Sequence, residues 1–300
     1  MRALVACAVC VGAIILTGCQ NTTATPTTAP QCPDFTRPGV ATAMVSQLVA
    51  AAGSADVVMI EVQPREVDLS VLVDDTPVTW ACRDGVVGQV TSDIAYVDQA
   101  SFDPSSFDFD DVGSLFRAAA AIAGSSSRQR LQIVDYSGGQ VMMSVATDPE
   151  SRTVFFNPDG SLLEDLDFAT RGGVARGLRE VIGQLPAVTR VSVVSNESVW
   201  VDHKDDDPGT VTRRVRTAMV PVTTITRATS GEPASFAPGM VRPDAIWSVV
   251  AQKVGSTPPK GTSWSVVVDD RDGIGTPRMR FSFGSEQVVT DLAGRPVELE

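Results

Sequence analysis

The chain has 300 residues, with 36 acidic against 24 basic side chains and a net charge of −12. Nucleic-acid binding needs a concentrated positive footprint. The one basic run, "RRVR" at Arg213 to Arg216, is too local, so that class is excluded. Aromatic content is low at 6%, and frequent glycine and proline suit many short strands and turns.

The first element is a leader. Met1 and Arg2 precede "ALVACAVCVGAIIL", which is shorter than the roughly 20 apolar residues a membrane-spanning helix needs. The run ends in the small pair Thr17-Gly18 and then Cys19, which favours export over anchoring by a helix. "LTGC" (Leu16 to Cys19) resembles the lipobox of bacterial lipoproteins, of an actinobacterial type. The resemblance implies cleavage after residue 18 and lipidation (palmitate) of Cys19 on sulfur. It implies a lipid-anchored protein on the extracytoplasmic face of the cell membrane. One acyl chain holds a protein marginally and several hold it stably. "NTTATPTTAP" (Asn21 to Pro30) has no apolar side chain larger than alanine and two prolines. It reads as a tether that can carry O-linked sugar.

Five cysteines are present. Cys7 and Cys10 leave with the leader, and Cys19 takes lipid. Cys32 and Cys82 remain, and in an exported protein they are expected to form a disulfide.

The body reads as helix followed by strands, four times. Helix stripes are expected near 42–52 (Val45, Leu48, Val49, Ala52), from 112 to Gly124 (Val112, Leu115, Phe116, Ala119, Ile122), over 170–185 (Val174, Leu178, Val181, Ile182) and from Pro243 (Ile246, Val249, Val250, Val254). Strand pairs fill the intervals, including a hairpin around Asp84-Gly85. Gly160 and Gly294 lie 134 residues apart, read as two periods of about 67. The expected fold is α+β, built of repeated units of one helix on a small antiparallel sheet. The expected organisation is leader 1–18, lipidated cysteine and tether 19–31, two units in 32–168 and two more in 169–300.

Val154 to Glu164, with its hairpin "NPDGSLLE", and the preceding strands "QIVDY" and "MMSVAT" resemble PepSY-type modules of bacterial envelope proteins. "VVTDLAGRPV" (Val288 to Val297) matches more loosely. That resemblance implies binding, or modulation of an envelope enzyme.

No catalytic constellation is legible. The single histidine, His203, sits in the hydrophilic run "VDHKDDD" and reads as a solvent-exposed hairpin loop. There is no G-x-S-x-G elbow. Trp80, Trp200, Trp247 and Trp264 are spread along the chain and read as core. "VVDDRDGIG" (Val267 to Gly275) offers Asp270 and Asp272 to a calcium-type loop, but Val268 and Met279 occupy two ligand positions. No enzyme activity, cofactor or metal is expected. The expected function is a non-catalytic binding or scaffold module for another envelope protein or a wall polymer. The alternative is a carrier for lipid or a small hydrophobe.

Overall fold

The computed structural model describes residues 31–53, 56–91, 99–137, 139–229, 231–259 and 261–298. The first half contains α1 (Val40–Ala52), β1 (Val57–Gln63), β2 (Glu66–Val73), β3 (Thr76–Arg83), β4 (Val86–Val90), α2 (Val112–Ala123), β5 (Arg130–Ser137), β6 (Gln140–Ala146) and β7 (Val154–Phe156). The second contains α3 (Arg171–Ile182), β8 (Arg190–Val194), β9 (Ser198–Lys204), β10 (Thr210–Thr217), β11 (Thr223–Ala228), α4 (Pro243–Val254), β12 (Ser265–Asp269), β13 (Arg278–Phe283) and β14 (Glu286–Thr290).

The helices follow the apolar stripes and stop where local chemistry stops them. Gly53 and Gly124 close α1 and α2 in the left-handed conformation that side chains resist. Asp111 and Thr170 accept N–H bonds from Ser114 and Gly173 at the starts of α2 and α3. Pro243 opens α4, where a missing N–H costs nothing.

The sheets overturn the expected architecture. The strands form two seven-stranded antiparallel sheets, ordered β4-β3-β2-β1-β5-β6-β7 and β11-β10-β9-β8-β12-β13-β14. Among the described residues there is no small sheet for each helix. Two meanders fuse because β1 pairs with β5, from Met59↔Val134 to Val62↔Leu131, and β8 pairs with β12 in the same way. Fusion satisfies edges that would otherwise lie open. It also gives two helices one broad face to cover. The fold is mostly β, and the repeating unit is two helices on seven strands.

The repeat is therefore twofold, with 134 residues as one period. α1 and α3 start 131 residues apart, as do α2 and α4. "DFTRPGV" (34–40) recurs as "DFATRGGV" (167–174), placing Phe35 and Phe168 in the two cores at 0% and 2% exposure. "SFDP" (101–104) recurs as "SFAP" (235–238), again 134 residues on. Phe102 bridges to Val57 and Phe236 to Val188, and each phenylalanine precedes a single 3-10 turn.

Each half has its own core. One spans Cys32 to Phe156 and joins Leu48 and Phe116 to Ile60, Leu69 and Ile133. The other spans Leu166 to Phe281 and joins Leu178 and Ile246 to Val201, Val266 and Trp264. Burying a leucine or phenylalanine contributes about 1.5–3 kcal/mol, so these inward rows dominate stability.

Packing is close at the start of α3. A Cβ on Gly173 would lie 1.9 Å from the Asp167 carbonyl oxygen, and one on Gly177 would lie 2.7 Å from the Phe168 ring. Gly173→Ala is expected to destabilise by about 1–3 kcal/mol, since backbone must shift to admit the methyl. Gly→Ala alone favours a helix by up to about 1 kcal/mol. Urea unfolding that finds the variant as stable as the parent would show that the turn yields freely.

Candidate binding face

The helices lie on the core side of each sheet, so the opposite face must find its own partners. In antiparallel pairs, residues directly opposite share a face. Across the second sheet one row reads Arg213 opposite Asp202, Asp202 opposite Arg190, Arg190 opposite Asp269, and Asp269 opposite Arg278. Charge alternates along the whole row, which is how like charges avoid facing one another.

Two aspartates are sunk in it, Asp202 at 3% and Asp269 at 4% exposure. The Arg213 guanidinium donates to both oxygens of Asp202, Nε at 2.7 Å and Nη2 at 3.0 Å. Arg227 adds Nη2 at 2.6 Å. Arg271 donates to both oxygens of Asp269, through Nε at 2.9 Å and Nη2 at 2.7 Å. Hydrogen bonding to Asp269 raises the Arg271 pKa further above its ordinary value, against a smaller effect of burial. Arg190 reaches Asp269 at 3.3 Å and Arg280 at 3.7 Å. Forked arginine–carboxylate pairs are rigid.

The adjacent row carries Val215, Trp200, Ser192 and Val267. Arg213 stacks 3.5 Å over the Trp200 ring, a contact that holds both side chains flat. A cleft of about 300 Å³ opens at the β11 end, lined by Thr189, Arg190, Asp202, Arg227 and Thr229 among others.

Strand β10 alternates outward and inward. Arg213 and Val215 face out, whereas Arg214 and Arg216 face the core. Strand β10 lies inside the sheet, between β9 and β11, and carries arginines on both faces. Burial lowers the pKa of Arg214. Arg216 is wholly buried. It donates to the Glu180 carboxylate at 2.7 Å, to the carbonyls of Glu164 at 2.6 Å, Val220 at 2.7 Å and Ala218 at 3.1 Å, and to that of Thr217. Glu164 belongs to the connector between the halves, so this one side chain ties connector, α3 and the β10–β11 loop together.

Cys19 lies outside the described residues. The structure joins Cys32 to Cys82 by a disulfide with Cα atoms 6.2 Å apart. His203 is in strand β9 opposite Thr212, not in the loop, and its Nδ1 lies 3.0 Å from the Lys204 carbonyl. The loop begins only at residue 205. Trp247 and Trp264 pack edge to face at 6.3 Å against the second core, and Trp80 packs against the first. Trp200 is the exception, being on the outer face. The Asp270 carboxylate receives the N–H groups of Ile274 and Gly275, and Asp272 pairs with Arg278 and Arg280. Among the described residues no group of three or more His, Cys, Asp or Glu side chains is placed to hold a metal. No described helix is long and apolar enough to cross a membrane.

The charged row was hidden in the sequence because its members come from five strands between residues 190 and 278. One signal was available. Residues 32–168 hold 7 basic and 21 acidic side chains, a net of −14, whereas residues 169–300 hold 16 and 15, a net of +1. Such asymmetry marks the second half as the one with arginines to explain.

No family model matches the chain, and no curated protein matches it. Among solved structures it is similar to the H. pylori beta clamp in complex with 5-chloroisatin, at 9% identity and a TM-score of 0.18, over 88% of this chain and 63% of that one. It is also similar to the DNA polymerase III beta subunit of Thermotoga maritima, at 11% identity and a TM-score of 0.16, over 86% and 64%. The chain thus spans less than two thirds of either structure. Likeness at these scores carries no argument about fold or function.

Proposed function

We propose that the protein is a lipoprotein held to the extracytoplasmic face of the cell membrane through Cys19. Its body acts as a non-catalytic binding or scaffold module for another envelope protein or a wall component. The observation that carries this reading is the outer face of the second sheet. It sets a rigid arginine–aspartate row beside Trp200 and Val267, opposite the face the helices cover. Arginine and tryptophan are the residues that most often dominate binding at interfaces. The lipobox, the tether and the Cys32–Cys82 bridge support the address.

Two measurements test it together. Cys19→Ala is expected to abolish partitioning into detergent. A photo-crosslinking residue at Ile225, 57% exposed on the face, is expected to capture one reproducible envelope component in living cells. The same probe at Arg179, on the exposed side of α3, is expected to capture none. Persistent partitioning would sink the anchor, and equal capture at both positions would sink the face.

The carrier reading has one observation in its favour. A surface cleft of about 850 Å³ lies beside Trp247, lined also by Ala169, Thr170, Asn196 and Pro258. Ligand pockets commonly have volumes of about 300–1,000 Å³. Native mass spectrometry showing one co-purified lipid per chain would favour it.

A further inference from the structure

We propose that the cleft between Arg190 and Arg227 is an anion site that takes a phosphate group. Counting charge around the two buried aspartates leads there. Arg213 occupies both oxygens of Asp202, and Arg271 occupies both oxygens of Asp269. Each carboxylate is neutralised by its forked partner. Arg227 and Arg190 are then surplus, one reaching each aspartate through a single nitrogen at 2.6 Å and 3.3 Å. Arg190 and Arg227 both line the same cleft of about 300 Å³. Each side chain remains 42% exposed, so each can turn unused N–H donors outward.

The surrounding groups agree. Thr229 lines the cleft, and its hydroxyl can add a further donor. Thr189 spends its hydroxyl on the Asp202 carbonyl and fixes the floor. One acid lines the cleft, Asp202, and Arg213 already holds both its oxygens; Glu232, beside the lining residue Pro233, pairs with Lys204 at 3.8 Å. Two surplus positive charges held about one concavity match a doubly charged tetrahedral oxyanion. The fixed fork of arginine also suits phosphate better than an ammonium group does. The volume leaves room for a phosphate monoester with a small polyol. The source is either a free phosphate ester or a lipid headgroup.

The full chain in neutral detergent micelles is titrated with inorganic phosphate, then with sn-glycerol 3-phosphate, followed by 31P line broadening. A third titration adds micelles doped with phosphatidylglycerol. Saturable binding is expected in the wild type, with at least a tenfold loss in Arg190→Gln/Arg227→Gln. Arg179→Gln is expected to bind as wild type. Binding of the free esters assigns a soluble source, and response only to doped micelles assigns the headgroup; both support the site. Absence of saturation in all three titrations overturns the proposal, and so does equal binding by the double variant. A thermal midpoint within a few degrees of the parent certifies its fold, and single Arg227→Gln supplies a second reading should it fail. The site depends on the second sheet alone, so Cys19→Ala leaves this result unchanged and the two proposals fail separately.

Discussion

Arg216→Met is expected to lower the stability of the second half by about 1–3 kcal/mol, the range for leaving acceptors shielded from water without their donor. The loss has two parts. The Glu180 carboxylate, 23% exposed, loses one of its two cations and keeps Arg176, whose Nε lies 2.5 Å away. The carbonyls of Glu164 and Val220 lose a donor as well, whereas that of Ala218 keeps the Leu166 N–H; an acceptor left unpaired away from water costs about 1–3 kcal/mol. Lysine restores charge but not the five-donor fork, so Arg216→Lys should fall between methionine and arginine. Adding Glu180→Met to Arg216→Met should recover little, because Arg176 still pairs with Glu180 when Arg216 is gone. Guanidinium unfolding read by tryptophan fluorescence decides it, since Trp200, Trp247 and Trp264 all report on the second half. A change below about 1 kcal/mol in Arg216→Met would mean that the connector and the β10–β11 loop are held by something else.

Arg216 also shows why only part of this molecule was legible. Its strand reads "TVTRRVRT", and three arginines in four residues look like a solvated surface. Nothing local says that one of them enters the core, because its carboxylate partner Glu180 and the Glu164 carbonyl lie 36 and 52 residues away, and its nearer partners are backbone carbonyls that leave no mark in the sequence. Helix positions were legible, since Leu48, Phe116, Leu178 and Ile246 lie on stripes that need no distant information. The Asp84-Gly85 turn was legible for the same reason, and both residues have positive φ.

Sheet size was not legible. Whether β1 ends one small sheet or continues into β5 depends on pairing across more than 60 residues, with the same alternation in either case. The twofold repeat did leave a trace in the near-identical "DFTR" and "DFATR" and in "SFDP" and "SFAP". Turn glycines are a poor ruler for such a repeat because every hairpin uses them, whereas a buried phenylalanine before a fixed turn marks one position per unit. The binding face was the least visible of all. Asp202 and Asp269 look like ordinary surface acids until strand pairing surrounds them with arginines.

Opening the Cys32–Cys82 bridge is expected to cost the first half about 4 kcal/mol, from the entropy of a loop of this length in the unfolded chain; the two residues are 50 apart in sequence. Both cysteines are 2% exposed within the core, so alanine is a better replacement than serine, whose hydroxyl would be buried without a partner. Reduction of the wild type and the Cys32→Ala/Cys82→Ala variant should give similar losses in urea. The urea dependence should steepen, because an uncrosslinked unfolded chain exposes more surface. A loss below about 1 kcal/mol in both would show that packing around Phe35 already closes the loop. The bridge also decides where force enters the body. Cys32 lies three residues before Phe35, and its carbonyl accepts a bond from Arg65 at 3.2 Å. If Cys19 carries lipid, 13 residues separate membrane from bridge, a reach of at most about 45 Å when extended. Pull on that tether passes through sulfur into β3, inside the sheet, and bypasses α1. Trypsin digestion of membrane-bound protein distinguishes the two states. With the bridge intact, Arg65 should resist cleavage; after reduction it should be cut first, releasing the body from the membrane while the second half stays folded (Arg37 precedes Pro38 and is not a trypsin site).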